Sequence, residues 1–193
     1  ETMLKKFDRI SGDYNEFWAG RDYIHKLGPV KAATLMAHAF NDWNVMPEHS
    51  VRIYEALKKK GVPVQAYFHQ GGHGGEPPMK LMNRWFTRYL HAVENGVEKD
   101  PRSWIVREDA VSREPTPYAD YPHPDAVGVP LHPKAGGGGV GALSLAAEGG
   151  QGLEKLIDDV SFSGADLAKS EASKQRLLYT TPPLARALHV SGT

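Results

Sequence analysis

The sequence contains no cysteine, carries no net charge and has no long apolar run. Without cysteine, disulfide bonds, thiolate zinc sites and a cysteine nucleophile are excluded. The 23 basic side chains balance 23 acidic ones, so no net field favours nucleic acid or an anionic membrane as a partner. No apolar run approaches the roughly 20 residues that a membrane-spanning helix needs. We therefore expect a globular protein with neither a nucleic-acid nor a membrane partner.

The chain begins with a glutamate rather than a methionine, and residues 1–9 are charged and helical in character, unlike a signal peptide. The length of 193 residues suits one domain or one and a half. We expect the chain to be a piece of a longer protein. The compartment stays open, as does the oligomeric state, for which a homo-oligomer is one option.

Helical and strand patterns alternate over residues 1–107. Helices are predicted at about 14–27, 47–60 and 79–93, and strands at 32–40, 62–69 and 103–107. The strand at 32–40 has little polar interruption, as a strand buried on both faces of a parallel sheet would. This order predicts an α/β domain with right-handed crossovers.

The composition changes at about residue 108. Much of the chain's proline and glycine lies between residues 108 and 152, which predicts an extended, poorly packed connection over 108–174. Residues 175–193 then predict two β-segments around a Pro-Pro corner, which we interpret as the first strands of an all-β module. The predicted organisation is therefore 1–107, 108–174 and 175–193.

An aspartate and a histidine each follow a predicted strand. Asp42 comes just after the strand at 32–40, and His73 lies in the run Gly71-Gly-His-Gly-Gly75 after the strand at 62–69. Open α/β sheets place their chemistry at the carboxyl ends of their strands. A catalytic triad needs a base and a carboxylate that orients it, and α/β-hydrolases place the carboxylate before the histidine in the chain.

Other interpretations of these residues stay open at this point. Asp42 could be a turn residue or a helix cap, and His73 could be a surface or core histidine. A metal site could use His69 and His73 with His38 or Asp42. Histidines four residues apart converge on a metal when they lie on a helix, whereas here a strand end and two glycines intervene. We therefore predict no metal.

Two motifs resemble the X-prolyl dipeptidyl aminopeptidases, which belong to the serine hydrolases that include bacterial cocaine esterase. They are Asn41-Asp-Trp-Asn-Val45 and Phe68-His-Gln-Gly-Gly-His-Gly74. The approach to the first motif, in Ser11-Gly-Asp-Tyr-Asn-Glu-Phe-Trp18 and Arg21-Asp-Tyr23, matches as well. The tail from Leu178-Tyr-Thr-Thr-Pro-Pro-Leu184 resembles the entry to the family's C-terminal jelly-roll domain.

The resemblance implies the C-terminal part of an α/β-hydrolase domain, a linker and the first strands of a β-sandwich. It implies that Asp42 and His73 are the triad aspartate and histidine. It also implies that Asn44 anchors the substrate backbone, as in the Asp-x-Asn-Val motif of dipeptidyl peptidase IV, and that Trp43 lines the pocket or packs. The family cleaves X-Pro dipeptides from free N-termini through an acyl-enzyme, and we expect no cofactor.

One part of the family's machinery is missing from the sequence. No serine stands in a Gly-x-Ser-x-Gly motif. We therefore expect the nucleophilic serine in a remaining segment of the same enzyme, outside this chain, and an inactive isolated chain.

Three functions follow from the sequence. The first is a serine exopeptidase acting on peptides with proline at the second position. The second is a carboxylic-ester or acylase hydrolase of the cocaine-esterase group. The third is a non-catalytic fragment or binding module.

Overall fold

A computed structural model describes residues 2–8, 10–108, 110, 112–137, 139–157, 159–170 and 174–192. The chain divides into two compact units, Glu1–Pro124 with Gly192–Thr193, and Asp125–Ser191. None of the described helices has the length and apolar character that crossing a bilayer requires.

The first unit alternates helices and strands, which confirms the predicted α/β class. Its helices are α1 (Thr2–Lys6), α2 (Glu16–Ala19), α3 (Pro47–Lys59) and α4 (Met79–Tyr89), with 3-10 turns at Ile24–Lys26 and Val97–Lys99. Its strands are β1 (Thr34–Ala39), β2 (Val64–His69), β3 (Ser103–Ile105) and β4 (Thr116–Tyr118).

These strands form one sheet in the order β1-β2-β3-β4. The first three are parallel, and β4 pairs antiparallel with β3. β1 and β2 pair over their whole length, from Thr34 opposite Val64 to Ala39 opposite His69. Because both strands end at the same level, the loops that follow them leave from the same edge of the sheet.

Helix α3 connects β1 to β2, and its sequence marks both of its ends. Pro47 stands in the first turn, where its missing N–H has no intrahelical partner to lose, and Glu48 faces the positive end of the helix dipole. Lys58 and Lys59 lie in the last turn, and Gly61 follows with a φ of 79°. The helix is thus confined to the span that bridges the two strands.

One face of α3 is buried against the sheet. Val51, Tyr54 and Leu57 belong to a single core cluster with Ala66 and Phe68 of β2. Burial of each large apolar side chain contributes roughly 1.5–3 kcal/mol to stability. This packing attaches α3 to β2, and Met36 of β1 packs against the same cluster.

The prediction of one helix over residues 14–27 is wrong, because within that range the α-helix covers Glu16–Ala19 only. Asn15 caps its start with its side-chain oxygen, and Gly20 follows its end. The carboxylate of Asp22 then accepts the backbone N–H two residues later (3.1 Å), which begins a separate turn.

The second unit contains a small sheet, of which the sequence predicted only the strand within residues 175–193. Strands β5 (His132–Lys134), β6 (Val140–Ser144) and β7 (Leu178–Thr180) lie in that order, and α5 covers Gly164–Lys169. A Cβ on Gly141 would come within 2.4 Å of the carbonyl oxygen of Lys134 and 2.5 Å of the Tyr179 ring. This glycine therefore permits close strand packing and does not mark a flexible connection.

Residues 108–174 are consequently not a uniformly extended, poorly packed segment, since β4, β5, β6 and α5 lie within them. Of the two β-segments predicted in 175–193, the first is β7, and residues 181–192 contain no strand. Pro182 and Pro183 have no N–H to donate to a neighbouring strand. The domain boundaries and the β-sandwich stay predictions.

Candidate active site

Asp42 and His73 meet at the edge where β1 and β2 end. Nδ1 of His73 lies 3.0 Å from Oδ2 of Asp42, which is the contact that their order and loop positions predict. The strand pairing continues just past the strands, because the N–H of Phe40 donates to the carbonyl oxygen of His69 (2.8 Å). The side chain of Asn41 donates to the carbonyl oxygen of Gln70 (2.9 Å). The two loops are thus joined on the strand side of the Asp42–His73 contact.

The Asp42 carboxylate is held by its own turn. Its Oδ1 accepts the backbone N–H groups of Asn44 (2.9 Å) and Val45 (3.0 Å), and its side chain is 5% exposed. The bond from Val45 lowers the pKa of Asp42 most; burial opposes it, while His73 and Asn44 lower it further, to about 2. The carboxylate is therefore both fixed and ionised at neutral pH.

The direction of this shift sets the pH range over which Asp42 supports the fold. Its pKa is lowered from 3.8 to about 2, so the ionised carboxylate stabilises the folded state above pH 4. That contribution is lost as the pH falls through about 2.

The imidazole of His73 combines an oriented nitrogen with an accessible one. An ionised carboxylate only accepts hydrogen bonds, so Nδ1 of His73 carries the hydrogen. In the neutral ring Nε2 then bears the lone pair, and the side chain is 62% exposed. Such a ring can take a proton at Nε2 from a hydroxyl group and return it, while Asp42 stabilises the imidazolium.

The loop that carries His73 wraps around the ring of His69. The N–H of Gly71 donates to Nδ1 of His69 (3.0 Å), and the ring stacks on Tyr67 with centroids 5.6 Å apart. A Cβ on Gly71 would come within 2.8 Å of this ring, and one on Gly75 within 2.6 Å. The glycines are needed because the loop passes so close to His69.

We expect Gly75→Ala to disturb the loop more than Gly74→Ala. The two glycines have nearly equal φ angles, 101° and 98°, but only a Cβ on Gly75 meets the His69 ring. Positive-φ strain of roughly 1–3 kcal/mol should therefore appear in both variants, and displacement of His73 only in the first. Denaturant unfolding and the kcat of the complete enzyme measure the two effects. Equal losses of kcat in both variants would contradict the steric argument.

The other residues singled out by the sequence have distinct positions. Trp43 is 66% exposed and Asn44 is exposed, both in the turn after Asp42. Asp42 does not cap α3, whose N-cap is Met46. Within the described part of the chain, no three His, Cys, Asp or Glu side chains are grouped to hold a metal ion.

Sequence reasoning missed the part that His38 plays beside Asp42. Its Nε2 lies 3.2 Å from Oδ2 of Asp42, and its side chain is 8% exposed. The signal in the sequence was a single histidine four residues before the aspartate, in a strand that is otherwise apolar apart from Thr34.

Two family models match the chain. The model described as X-Pro dipeptidyl-peptidase (S15 family) matches residues 1–75. The model described as X-Pro dipeptidyl-peptidase C-terminal non-catalytic domain matches residues 95–193.

Curated relatives carry related names. A putative Xaa-Pro dipeptidyl-peptidase of Rhodopirellula baltica is 55% identical over 193 residues, which are all of this chain and 31% of that protein. One of Bacillus anthracis is 31% identical over 191 residues, 96% of this chain and 31% of that protein. An Xaa-Pro dipeptidyl-peptidase of Lactobacillus delbrueckii subsp. lactis is 34% identical over 110 residues, 53% of this chain and 14% of that protein. The chain thus spans at most about a third of the length of these relatives.

The fold is similar to that of a solved CocE/NonD family hydrolase from Staphylococcus aureus. The TM-score is 0.54 at 18% identity, over 76% of this chain and 26% of that one. At this identity the likeness concerns the fold alone, and it supports an α/β-hydrolase-like fold.

Proposed function

The chain belongs to the X-Pro dipeptidyl-peptidase family, and from this premise we propose that it carries the base and the orienting carboxylate of a serine exopeptidase that releases X-Pro dipeptides. The observation that carries the proposal is the 3.0 Å contact between Nδ1 of His73 and Oδ2 of Asp42. The names of the curated relatives support the substrate class.

In the proposed reaction His73 moves a proton twice. Its Nε2 takes the proton of a serine hydroxyl as the oxygen attacks the carbonyl carbon of the proline residue, and then gives it to the departing amine. A water molecule attacks the acyl-enzyme, His73 takes its proton, and that proton returns to the serine oxygen as the dipeptide leaves. Asp42 stays ionised throughout and stabilises the imidazolium, in keeping with its low pKa.

We place the nucleophilic serine and the oxyanion donors in a segment outside these 193 residues. The sequence holds no Gly-x-Ser-x-Gly motif. Ser50, whose hydroxyl is close to the site, lies 2.6 Å from Nδ1 of His38 and is engaged there. On this proposal the isolated chain hydrolyses nothing, because His73 has no hydroxyl to activate.

We assign substrate binding to the exposed turn after Asp42. The Asn44 side chain would bond to the peptide backbone of the substrate, and Trp43 would line the pocket. A peptide needs such anchoring, whereas a small ester does not, so Asn44 favours the peptidase over the esterase.

The second candidate is a carboxylic-ester or acylase hydrolase, which the fold likeness to a CocE/NonD family hydrolase favours. It uses the same Asp42–His73 pair, so only the substrate separates it from the first. A non-catalytic fragment or binding module is the third candidate. The missing serine motif favours it for the isolated chain, and mass spectrometry of the purified protein would show whether another polypeptide completes the site.

Parallel kinetics on Ala-Pro-p-nitroanilide and p-nitrophenyl acetate test the proposal with the complete enzyme. We expect Asn44→Ala to lower kcat/KM for the anilide about tenfold, since a lost hydrogen bond costs about 1.5 kcal/mol, and to spare the ester. The ester serves as the internal control for folding. If the enzyme has the higher kcat/KM for the ester, and Asn44→Ala changes kcat/KM for neither substrate, the protein is an esterase.

A further inference from the structure

His38 is the polar side chain of β1 that lies behind the carboxylate of the site. Its strand neighbours are otherwise apolar apart from Thr34 at the start, yet both of its ring nitrogens have partners. Nδ1 lies 2.6 Å from Oγ of Ser50 on α3. Nε2 lies 2.9 Å from the carbonyl oxygen of Val45 and 3.2 Å from Oδ2 of Asp42.

The partners of the ring fix which nitrogen carries the hydrogen. A carbonyl oxygen and an ionised carboxylate only accept hydrogen bonds, so Nε2 of His38 must be the donor. In the neutral ring Nδ1 is then an acceptor, and the hydroxyl of Ser50 donates to it. A series of hydrogen bonds with one donor direction therefore runs from Ser50 on α3 through His38 on β1 to the turn that holds Asp42.

This series of hydrogen bonds supports the turn that holds the Asp42 carboxylate. The N–H of Val45 donates to Oδ1 of Asp42, while its carbonyl oxygen accepts from His38, so the residue is held at both ends. The same Nε2–H of His38 lies beside Oδ2, which is the oxygen that bonds to His73. The hydrogen bond of His38 Nε2 goes to the turn at Val45, and the same nitrogen lies 3.2 Å from Oδ2, so His38 supports the carboxylate chiefly through the turn.

We propose that His38, itself oriented by Ser50, is a positioning residue that aligns the Asp42 carboxylate with Nδ1 of His73. This inference rests on the proposed function, in which Asp42 orients the base, and it adds a residue that acts only through Asp42. Groups that orient metal ligands through a second hydrogen bond change affinity or activity by about ten- to a hundredfold, and we expect an effect at the lower end of that range here.

The test compares His38→Phe, which keeps a ring without an N–H, with His38→Gln, which restores an N–H donor. We expect His38→Phe to lower kcat of the complete enzyme about tenfold and to leave KM within about twofold, because only the alignment of the base changes. His38→Gln should recover most of the loss. Ser50→Ala should lower kcat by less than His38→Phe, since the ring stays but loses one of its orienting bonds.

Histidine-selective nitrogen-15 NMR supplies a readout that does not depend on turnover. The parent should show His38 protonated at Nε2 and a low-field signal from the Nδ1–H of His73. That signal should move or broaden in His38→Phe and return in His38→Gln. The control is Ser103→Ala, which removes a fully buried hydroxyl that donates to the carbonyl oxygens of Tyr118 and Asp120; it should leave the signal unchanged.

Each result decides the inference. A His38→Phe variant with parental kcat and an unchanged His73 signal overturns it. So do equal losses in the Phe and Gln variants with an unchanged signal, since they indicate a role in folding alone. If His38→Phe does not fold, the His73 signal in Ser50→Ala decides in its place, and an unchanged signal overturns the inference. Retained activity in His73→Ala would instead refute the proposed function, and the NMR comparison would still decide the role of His38.

Discussion

Replacing His73 by alanine is expected to lower kcat of the complete enzyme by about 10⁴-fold or more, with little change in KM. The reason is that, among the residues that the structure describes, Nε2 of this ring is the group that the proposed site places to accept the proton of the nucleophile. Members of a triad act as a unit, so losing the base removes almost all of the contribution of the unit. Steady-state kinetics on Ala-Pro-p-nitroanilide measure the loss, and an unfolding curve shows that the variant is folded.

A matched control for this substitution exists in the same unit. His25 also lies near a carboxylate, with Nε2 3.7 Å from Oδ2 of Asp22, but its side chain is 79% exposed and belongs to the turn Ile24–Lys26, outside the loops that carry Asp42 and His73. His25→Ala should leave kcat unchanged. If His73→Ala kept a near-normal kcat and only raised KM, His73 would bind substrate and not act as the base.

The second large effect is expected from Asp42→Asn, which keeps the shape of the side chain and removes its charge. Oδ1 can continue to accept the N–H groups of Asn44 and Val45, so the new amide NH₂ takes the place of Oδ2. It then faces Nδ1 of His73, which can only accept from it, and the ring hydrogen moves to Nε2. A base protonated at Nε2 cannot take a proton from serine, so we expect a fall in kcat of about 10⁴-fold.

The same variant tests the ionisation of Asp42. Because the pKa of Asp42 is lowered to about 2, the parent loses stability as the pH falls from 4 through 2, and Asp42→Asn should lose less over that range. Unfolding midpoints at several pH values measure this difference.

Asp22→Asn, which alters the partly buried carboxylate beside His25, is the control for kcat. A kcat within about tenfold of the parent in Asp42→Asn would refute the orienting role.

The parts of the fold that the sequence predicts are those with a local cause. Each of these features determines its element through residues close in sequence. They are the apolar run of β1, the buried stripe of α3 and the residues at the ends of that helix. The positions of Asp42 and His73 follow from them, because parallel strands end at one edge of the sheet.

The parts that sequence reasoning missed depend on distant partners or on competing local bonds. Strand β5 has only three residues, too few to show a period, and β6 pairs with β7 across a long stretch of chain. The helix expected at 14–27 has an aromatic pattern, but Asn15 and Asp22 give the backbone alternative partners. The role of His38 is visible only when Ser50 and Val45 are in place around it.

The arrangement of β1, α3 and β2 has a consequence for the order in which the site is assembled during folding. Asp42 and His73 are 31 positions apart, and the described contacts that join their loops lie within the first unit. Contacts of short sequence separation form with a small loss of chain entropy, so they precede the docking of distant segments. We therefore expect the base to be oriented before a nucleophile from elsewhere in the polypeptide arrives. The docking of that segment would then limit the rate at which activity appears on refolding, and the formation of the Asp42–His73 contact would not.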